Sequence, residues 1–254
     1  MNKQLVSKNL LISYSDLGKK DSSISMLFLH GWRSNKEVWG TVSKLMSQSV
    51  SKSVNIYSLD LPGFGGSQNP KAPMTVGDYA EIVVEFIKKL DLKNTIIIGH
   101  SFGGRVGIKL AATHPEIINT LILVDSAGFA MDPNKRIVVN TAAKIAKPFF
   151  RPKFMQGLRK AIYKHIGAED YLATPELQQT FVNITSEDLS VDMATIKCPT
   201  LIITGQDDND TPVEFGDLMH SIIPNSKFVI IKDAGHFSFL DKPEEFINNL
   251  LKFI

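Results

Sequence analysis

Short apolar runs at 26–29, 54–59, 95–98, 120–124, 200–203 and 227–231 are separated by longer segments with helical periodicity, notably 75–90, 104–113 and 243–254. This alternation constrains the fold more than any other feature of the chain. Most of the runs are continuous rather than alternating, and they are rich in β-branched residues. That is the pattern of strands buried on both faces of a parallel sheet. Strand and helix in repeated succession imply an α/β architecture with helices covering both faces. The opening stretch, 5–16, adds two antiparallel edge strands.

One region departs from the pattern. Between about 128 and 195 the periodicity is helical throughout and no strand run occurs, which predicts a helical cap inserted into a core made of 1–127 and 196–254. A chain of 254 residues, 43% hydrophobic and 21% charged, suits one such domain with an insertion. Residues 134–168 hold nine Lys or Arg and no Asp or Glu, although the whole chain carries only +2, so the charge is polarised between cap and core. With Phe149, Phe150, Phe154 and Met155 among them, these residues could form an amphipathic lid that attracts anionic substrates or touches an anionic membrane surface. The preferred reading is a cap that packs its apolar side on the core and leaves its lysines solvated.

The low net charge gives no electrostatic reason to bind nucleic acid. A single cysteine, Cys198, excludes an internal disulfide, and no Cys and His cluster has metal-ligand spacing. Lys8 and Asn9 interrupt the apolar run that a secretory signal would need, and no stretch approaches the length of a membrane span. The expectation is a cytoplasmic protein.

The most informative motif follows the run at 95–98: Gly99-His100-Ser101-Phe102-Gly103-Gly104, with helical periodicity immediately after it. In a strand, sharp turn, helix arrangement the turn residue is driven to positive φ, and flanking glycines relieve the crowding between strand and helix. Such a turn lifts the Ser101 hydroxyl clear of the sheet edge. It also sets the Phe102 N–H at a helix N-terminus, where an oxyanion would be stabilised.

A serine hydroxyl needs a base. His236 lies just past the last strand run, in a loop able to overhang the carboxyl edge of the sheet, where sites form in open α/β sheets. His114, His165 and His220 have plainer readings, near helix ends or within the cap. A carboxylate should orient the imidazole. Asp207, Asp208 and Asp210 all follow the run at 200–203, and Asp125 follows the run at 120–124; chemistry alone does not choose among them.

With these motifs in place, the sequence resembles the α/β-hydrolase superfamily over essentially its whole length. The resemblance rests on His30-Gly31-Trp32, on Asp60-Leu61-Pro62-Gly63-Phe64-Gly65-Gly66-Ser67, on the Ser101 motif, and on Gly205, Asp208 and Pro212 in the spacing of the family's acid. It implies the α/β-hydrolase fold, a mostly parallel eight-stranded sheet flanked by helices with an inserted helical cap. It selects Asp208 as the acid beside Ser101 and His236, and the backbone N–H groups of Trp32 and Phe102 as the oxyanion hole. It gives His30, Asp60 and Ser67 bracing roles, and implies no cofactor and no metal.

The resemblance also narrows the chemistry. Relatives that open haloalkanes or epoxides carry aspartate where Ser101 stands. Those that cleave carbon–carbon bonds usually carry tryptophan after the histidine, where this chain has Phe237. The expected activity is hydrolysis of a small-molecule carboxylic ester, thioester or lactone through an acyl-enzyme. The rivals are a carbon–carbon hydrolase and a receptor-like binding protein with a near-silent triad.

Overall fold

The computed structural model describes residues 2–17, 22–49, 54–130 and 173–254. The nine basic residues of the 134–168 segment, and His165, lie outside the described residues, and so does most of the expected cap. Among the described residues the chain forms an eight-stranded sheet in the order β1-β2-β4-β3-β5-β6-β7-β8. The strands are β1 (Asn2–Ser7), β2 (Leu10–Asp16), β3 (Ile24–Leu29), β4 (Val54–Leu59), β5 (Thr95–His100), β6 (Ile118–Val124), β7 (Thr200–Gly205) and β8 (Ser226–Ile231). β1 and β2 pair antiparallel at one edge, β2 joins β4 antiparallel, and every later pairing is parallel.

The continuous apolar runs have a direct structural cause. Leu27 and Leu29 of β3, Ile97 of β5, Leu121 and Leu123 of β6 and Ile202 of β7 point into one core. Their neighbours Met26, Phe28, Ile96, Ile98, Ile122, Val124, Leu201 and Ile203 point into the other. Side chains alternate across a strand, so a strand covered on both faces has few solvent-facing positions to offer.

The first core is closed by α2 (Val76–Lys89) and α3 (Phe102–Thr113), and by Met219 of α6 (Val213–Ile222). α2 starts at a reciprocal capping box between Thr75 and Asp78, which satisfies two otherwise orphaned N–H groups. The second core is closed by α1 (Gly40–Ser49), by Phe239 of the short helix α7 (Ser238–Asp241), and by Phe246 and Leu250 of α8 (Pro243–Phe253). Trp39 stacks on Phe239 at 4.1 Å between ring centroids. Two further helices, α4 (Gln178–Ser186) and α5 (Ser190–Thr195), lead back into β7.

The helix expected at 104–113 begins two residues earlier, at Phe102, because the turn at Ser101 passes into it without a linker. Outside the expected cap, the structure adds α1, α6 and the four-residue α7 to the three helices expected from sequence. Among the described residues no helix is long and apolar enough to cross a membrane.

Phe246 is fully buried and ties α8 to the second core. Phe246→Ala should lower the unfolding free energy by about 3–5 kcal/mol, measured by urea denaturation.

Candidate active site

The site forms at the carboxyl edge of the sheet, from the loops that follow β3, β5, β7 and β8. β5 passes into α3 through Ser101, whose backbone has φ 50° and ψ −110°. Only glycine fits on either side of it. A Cβ at Gly99 would stand 2.4 Å from the Gly103 carbonyl oxygen, and one at Gly103 would stand 2.4 Å from the carbonyl oxygen of Leu29. The turn is held in its left-handed conformation by this backbone contact and by the Ser101 N–H, which donates to Val124 O at 3.1 Å.

The loop after β3 lies directly on this turn. A Cβ at Gly31 would fall 2.8 Å from His100 Nδ1 and 3.2 Å from Ser101 Cβ. The next residue is Trp32. Among the described residues, neither the Trp32 N–H nor the Phe102 N–H is engaged by another backbone group, and the Phe102 N–H belongs to the first turn of α3. Both N–H groups thus lack a backbone acceptor among the described residues, and that of Phe102 lies at the positive end of the helix dipole.

His236 is 17% exposed and its Nδ1 sits 2.9 Å from Asp208 Oδ2, with the Asp208 side chain wholly buried. Asp208 is further bound by Thr211, whose hydroxyl donates to Oδ2 at 2.6 Å, while the Asp210 and Thr211 N–H groups donate to Oδ1 at 2.8 and 3.0 Å. Burial alone would raise the Asp208 pKa. The hydrogen bond and charge of His236, with the Thr211 donors, outweigh it and hold the carboxyl below its ordinary value. Burial likewise opposes the charged imidazole, and Asp208 overrides it, so the His236 pKa is raised.

The Ser101 hydroxyl has no hydrogen-bond partner among the described residues. His236 approaches the turn through His100, whose ring centroid lies 4.8 Å from that of His236. In ligand-free sites such hydrogen bonds are often long and tighten on substrate binding.

The other aspartates weighed from sequence fall elsewhere. Asp125 is fully buried with φ 44°. Its Oδ1 accepts from the Gly205 N–H at 2.8 Å and its Oδ2 from the Ser238 N–H at 3.0 Å and hydroxyl at 2.7 Å. It thereby ties the loop of Asp208 to the loop of His236, and burial pushes its pKa up to about 6. Asp207 and Asp210 make no side-chain bond to His236. Asp208, Asp210 and His236 present ligand atoms within 4.8 Å of one another, but both Asp208 oxygens already accept donors, a donor set suited to an acid–base pair rather than to a cation.

The bracing residues form a second set. His30 Nδ1 donates to Gly31 O at 2.7 Å and its Nε2 accepts from the Leu61 N–H at 2.9 Å. Burial lowers its pKa to about 4, so it stays neutral. Asp60 accepts from the Lys36 N–H at 2.6 Å, from Lys36 Nζ at 2.7 Å and from the Gly66 N–H at 2.8 Å. Ser67 donates its hydroxyl to Asp60 O at 2.6 Å. His100 donates Nε2–H to His236 O at 2.7 Å, and burial holds it neutral with a pKa of about 3.

Lys36, Thr211 and Ser238 were not singled out from sequence. Asp208 forms an Asx turn with the Asp210 N–H, and Thr211 adds its own N–H and hydroxyl to the same carboxylate.

The profile described as "Alpha/beta hydrolase family" matches residues 26–249. The chain belongs to the α/β-hydrolase family. It is 26% identical to a pimeloyl-(acyl-carrier protein) methyl ester esterase of Proteus mirabilis, over 89% of this chain and 91% of that protein. It is 22% identical to a 2-hydroxy-6-oxo-6-(2'-aminophenyl)hexa-2,4-dienoic acid hydrolase of Metapseudomonas resinovorans, over 90% of this chain and 83% of that protein. Among solved structures, an esterase from Exiguobacterium antarcticum superposes with a TM-score of 0.79 at 24% identity, covering 100% of this chain and 99% of that one.

The coupling of His236 to Asp208 has a direct readout. The pair's extra stability is present between the ordinary carboxyl value near 3.9 and the ordinary imidazole value near 6.5; it is lost as pH rises through the raised His236 value and as pH falls through the lowered Asp208 value. Asp208→Asn removes the charge and leaves burial dominant, so the His236 midpoint followed by NMR should fall below the ordinary value. In Asp207→Asn it should stay at the wild-type position. A midpoint insensitive to Asp208→Asn would disconnect the two residues.

Proposed function

We propose that this α/β-hydrolase cleaves a carboxylic ester, or a close relative such as a thioester or lactone, through an acyl-enzyme. In this reading Ser101, His236 and Asp208 are the catalytic residues, the Trp32 and Phe102 N–H groups form the oxyanion hole, and 128–195 is the cap inserted into a core of 1–127 and 196–254. The observation that carries it is the strained Ser101 turn, followed by a Phe102 N–H that lacks a backbone acceptor among the described residues, and beside a histidine whose far nitrogen is bound to a buried carboxylate.

The steps follow from the atoms present. Ser101 Oγ attacks the acyl carbon while its proton passes to His236 Nε2; the Nδ1 proton stays on the ring and is donated to the ionised Asp208, which stabilises the imidazolium. The carbonyl oxygen becomes an oxyanion between the Trp32 and Phe102 N–H groups, and each such donor is typically worth about a hundredfold to a thousandfold in turnover. The tetrahedral intermediate collapses, the alcohol leaves with the proton from His236, and the acyl group remains on Ser101. Water then attacks the acyl-enzyme with His236 again as base and frees the acid.

The likeness to a methyl ester esterase supports this class of substrate. Phe237, where carbon–carbon hydrolases usually have tryptophan, weighs against that alternative.

A panel of p-nitrophenyl and coenzyme A esters, compared between the wild type and Ser101→Ala, tests the proposal. Turnover should drop on the order of a millionfold in Ser101→Ala, and Asp208→Asn should depress it far more than Asp207→Asn. An unchanged rate in Ser101→Ala would sink the reading. Inertness towards every ester together with turnover of a vinylogous diketone would replace it by carbon–carbon cleavage. Binding without turnover of either would point to a receptor-like protein.

A further inference from the structure

Arg105 stands one turn into α3, the helix that starts at the Ser101 turn, and only 3% of its surface is exposed. A guanidinium so deeply placed must find its partners within the protein; among the described residues its Nε has none, and the two terminal nitrogens carry the contacts. Nη1 donates to Phe129 O at 3.0 Å and Nη2 donates to Glu187 O. Phe129 lies where the chain leaves β6 for the inserted segment, and Glu187 is the C-cap of α4, where the chain returns.

Neighbouring contacts reinforce the same junction. Lys109, one turn further along α3, pairs with Glu187 Oε1 at 2.9 Å and Asp192 Oδ2 at 2.7 Å. The Leu189 N–H donates to Gly128 O at 3.0 Å, and the Ala130 N–H to Asp188 Oδ2 at 3.3 Å. Departing and returning limbs are thus bonded to each other and to α3.

The charge has a physical purpose at this place. The last carbonyls of a helix lack intrahelical partners and carry the negative end of its dipole, so a cation donating to the C-cap carbonyl stabilises that end. Burial lowers the Arg105 pKa to about 10, with Glu187 and Asp188 opposing, which leaves it charged at neutral pH. At the other end α4 meets the loop after β4: Thr180 Oγ1 accepts from the Met74 N–H at 3.0 Å. Between these anchors Phe181 sits 5.3 Å, ring to ring, from Trp32, which also packs on Phe64 at 4.8 Å and Phe102 at 5.4 Å.

We propose that Arg105 is a positioning residue that sets acyl-chain specificity: by capping α4 from the nucleophile helix it registers Phe181 on Trp32, closing an aromatic wall beside the oxyanion hole. The proposal rests on the ester-hydrolase reading for its substrate but not for its geometry. A long acyl chain needs the wall and an acetyl group does not, so loosening the clamp acts on the two unequally. Lysine keeps the charge but lacks the planar fork that reaches two carbonyls at once, so Arg105→Lys should not restore the wild-type behaviour.

The chain has two tryptophans, Trp32 and Trp39, so a Trp39→Phe background makes Trp32 the only indole reporter. In that background Arg105→Lys and Arg105→Met should shift Trp32 emission to the red and raise its acrylamide quenching. In the parent chain both should lower the ratio of kcat/KM for p-nitrophenyl octanoate over acetate by about tenfold, the scale on which apolar pockets discriminate chain length, chiefly through KM of the octanoate. Phe246→Ala, destabilised on the opposite face of the sheet, should leave that ratio unchanged.

Unaltered quenching in both arginine variants overturns the clamp. Altered quenching with both esters falling equally overturns the specificity role. If the wild type hydrolyses no ester, the ester reading fails, while the quenching still decides whether Arg105 seats Phe181 on Trp32. Arg105→Lys carries the test if Arg105→Met does not fold.

Discussion

Everything at the site depends on a backbone contact that contains no side chain. α3 leaves β5 so steeply that Gly99 meets the carbonyl of Gly103, and Gly103 meets the carbonyl of Leu29 at the end of β3. At this separation a single methyl group would force the helix off the sheet. The same closeness confines Ser101 to a left-handed conformation that costs of order 1–3 kcal/mol. It also brings the loop that carries Trp32 against Ser101, where an added Cβ on Gly31 would lie 3.2 Å from Ser101 Cβ.

Around that contact, buried polar groups hold loops in register with one another rather than filling the core. Asp125 bonds both the loop of Asp208 and the loop of His236, Asp60 bonds the Trp32 loop through Lys36, and His100 bonds the His236 backbone from beside Ser101. Each joins segments distant in sequence, each is buried, and the lone pairs of the Asp125 and Asp60 carboxylates are largely taken by donors. An unsatisfied partner in such a setting costs the full desolvation of the group left behind, so displacement of any one loop strains the others. Arg105 extends the same logic to the limb that carries Phe181.

Legibility from sequence followed the range of the interaction responsible. The six apolar runs became β3 to β8 with small shifts at their ends, because burial on two faces writes itself into every position of a strand. Ser101 could be read because strand, turn and glycines are contiguous. Asp208 could not be separated from Asp207, Asp210 and Asp125 by chemistry alone, since which carboxylate faces His236 depends on how two loops 28 residues apart meet. The resemblance to a family supplied that choice before the geometry did.

The architecture, the family and the place of the strained serine are legible in the residues alone, because each follows from local periodicity or from a motif a few residues long. That His236 binds Asp208, that Asp125 ties two loops instead of holding the imidazole, and that a buried Arg105 reaches both Phe129 and Glu187 became apparent only in three dimensions. A hydrogen bond is satisfied at about 3 Å, and no spacing along the chain records which donors and acceptors the fold brings within that distance.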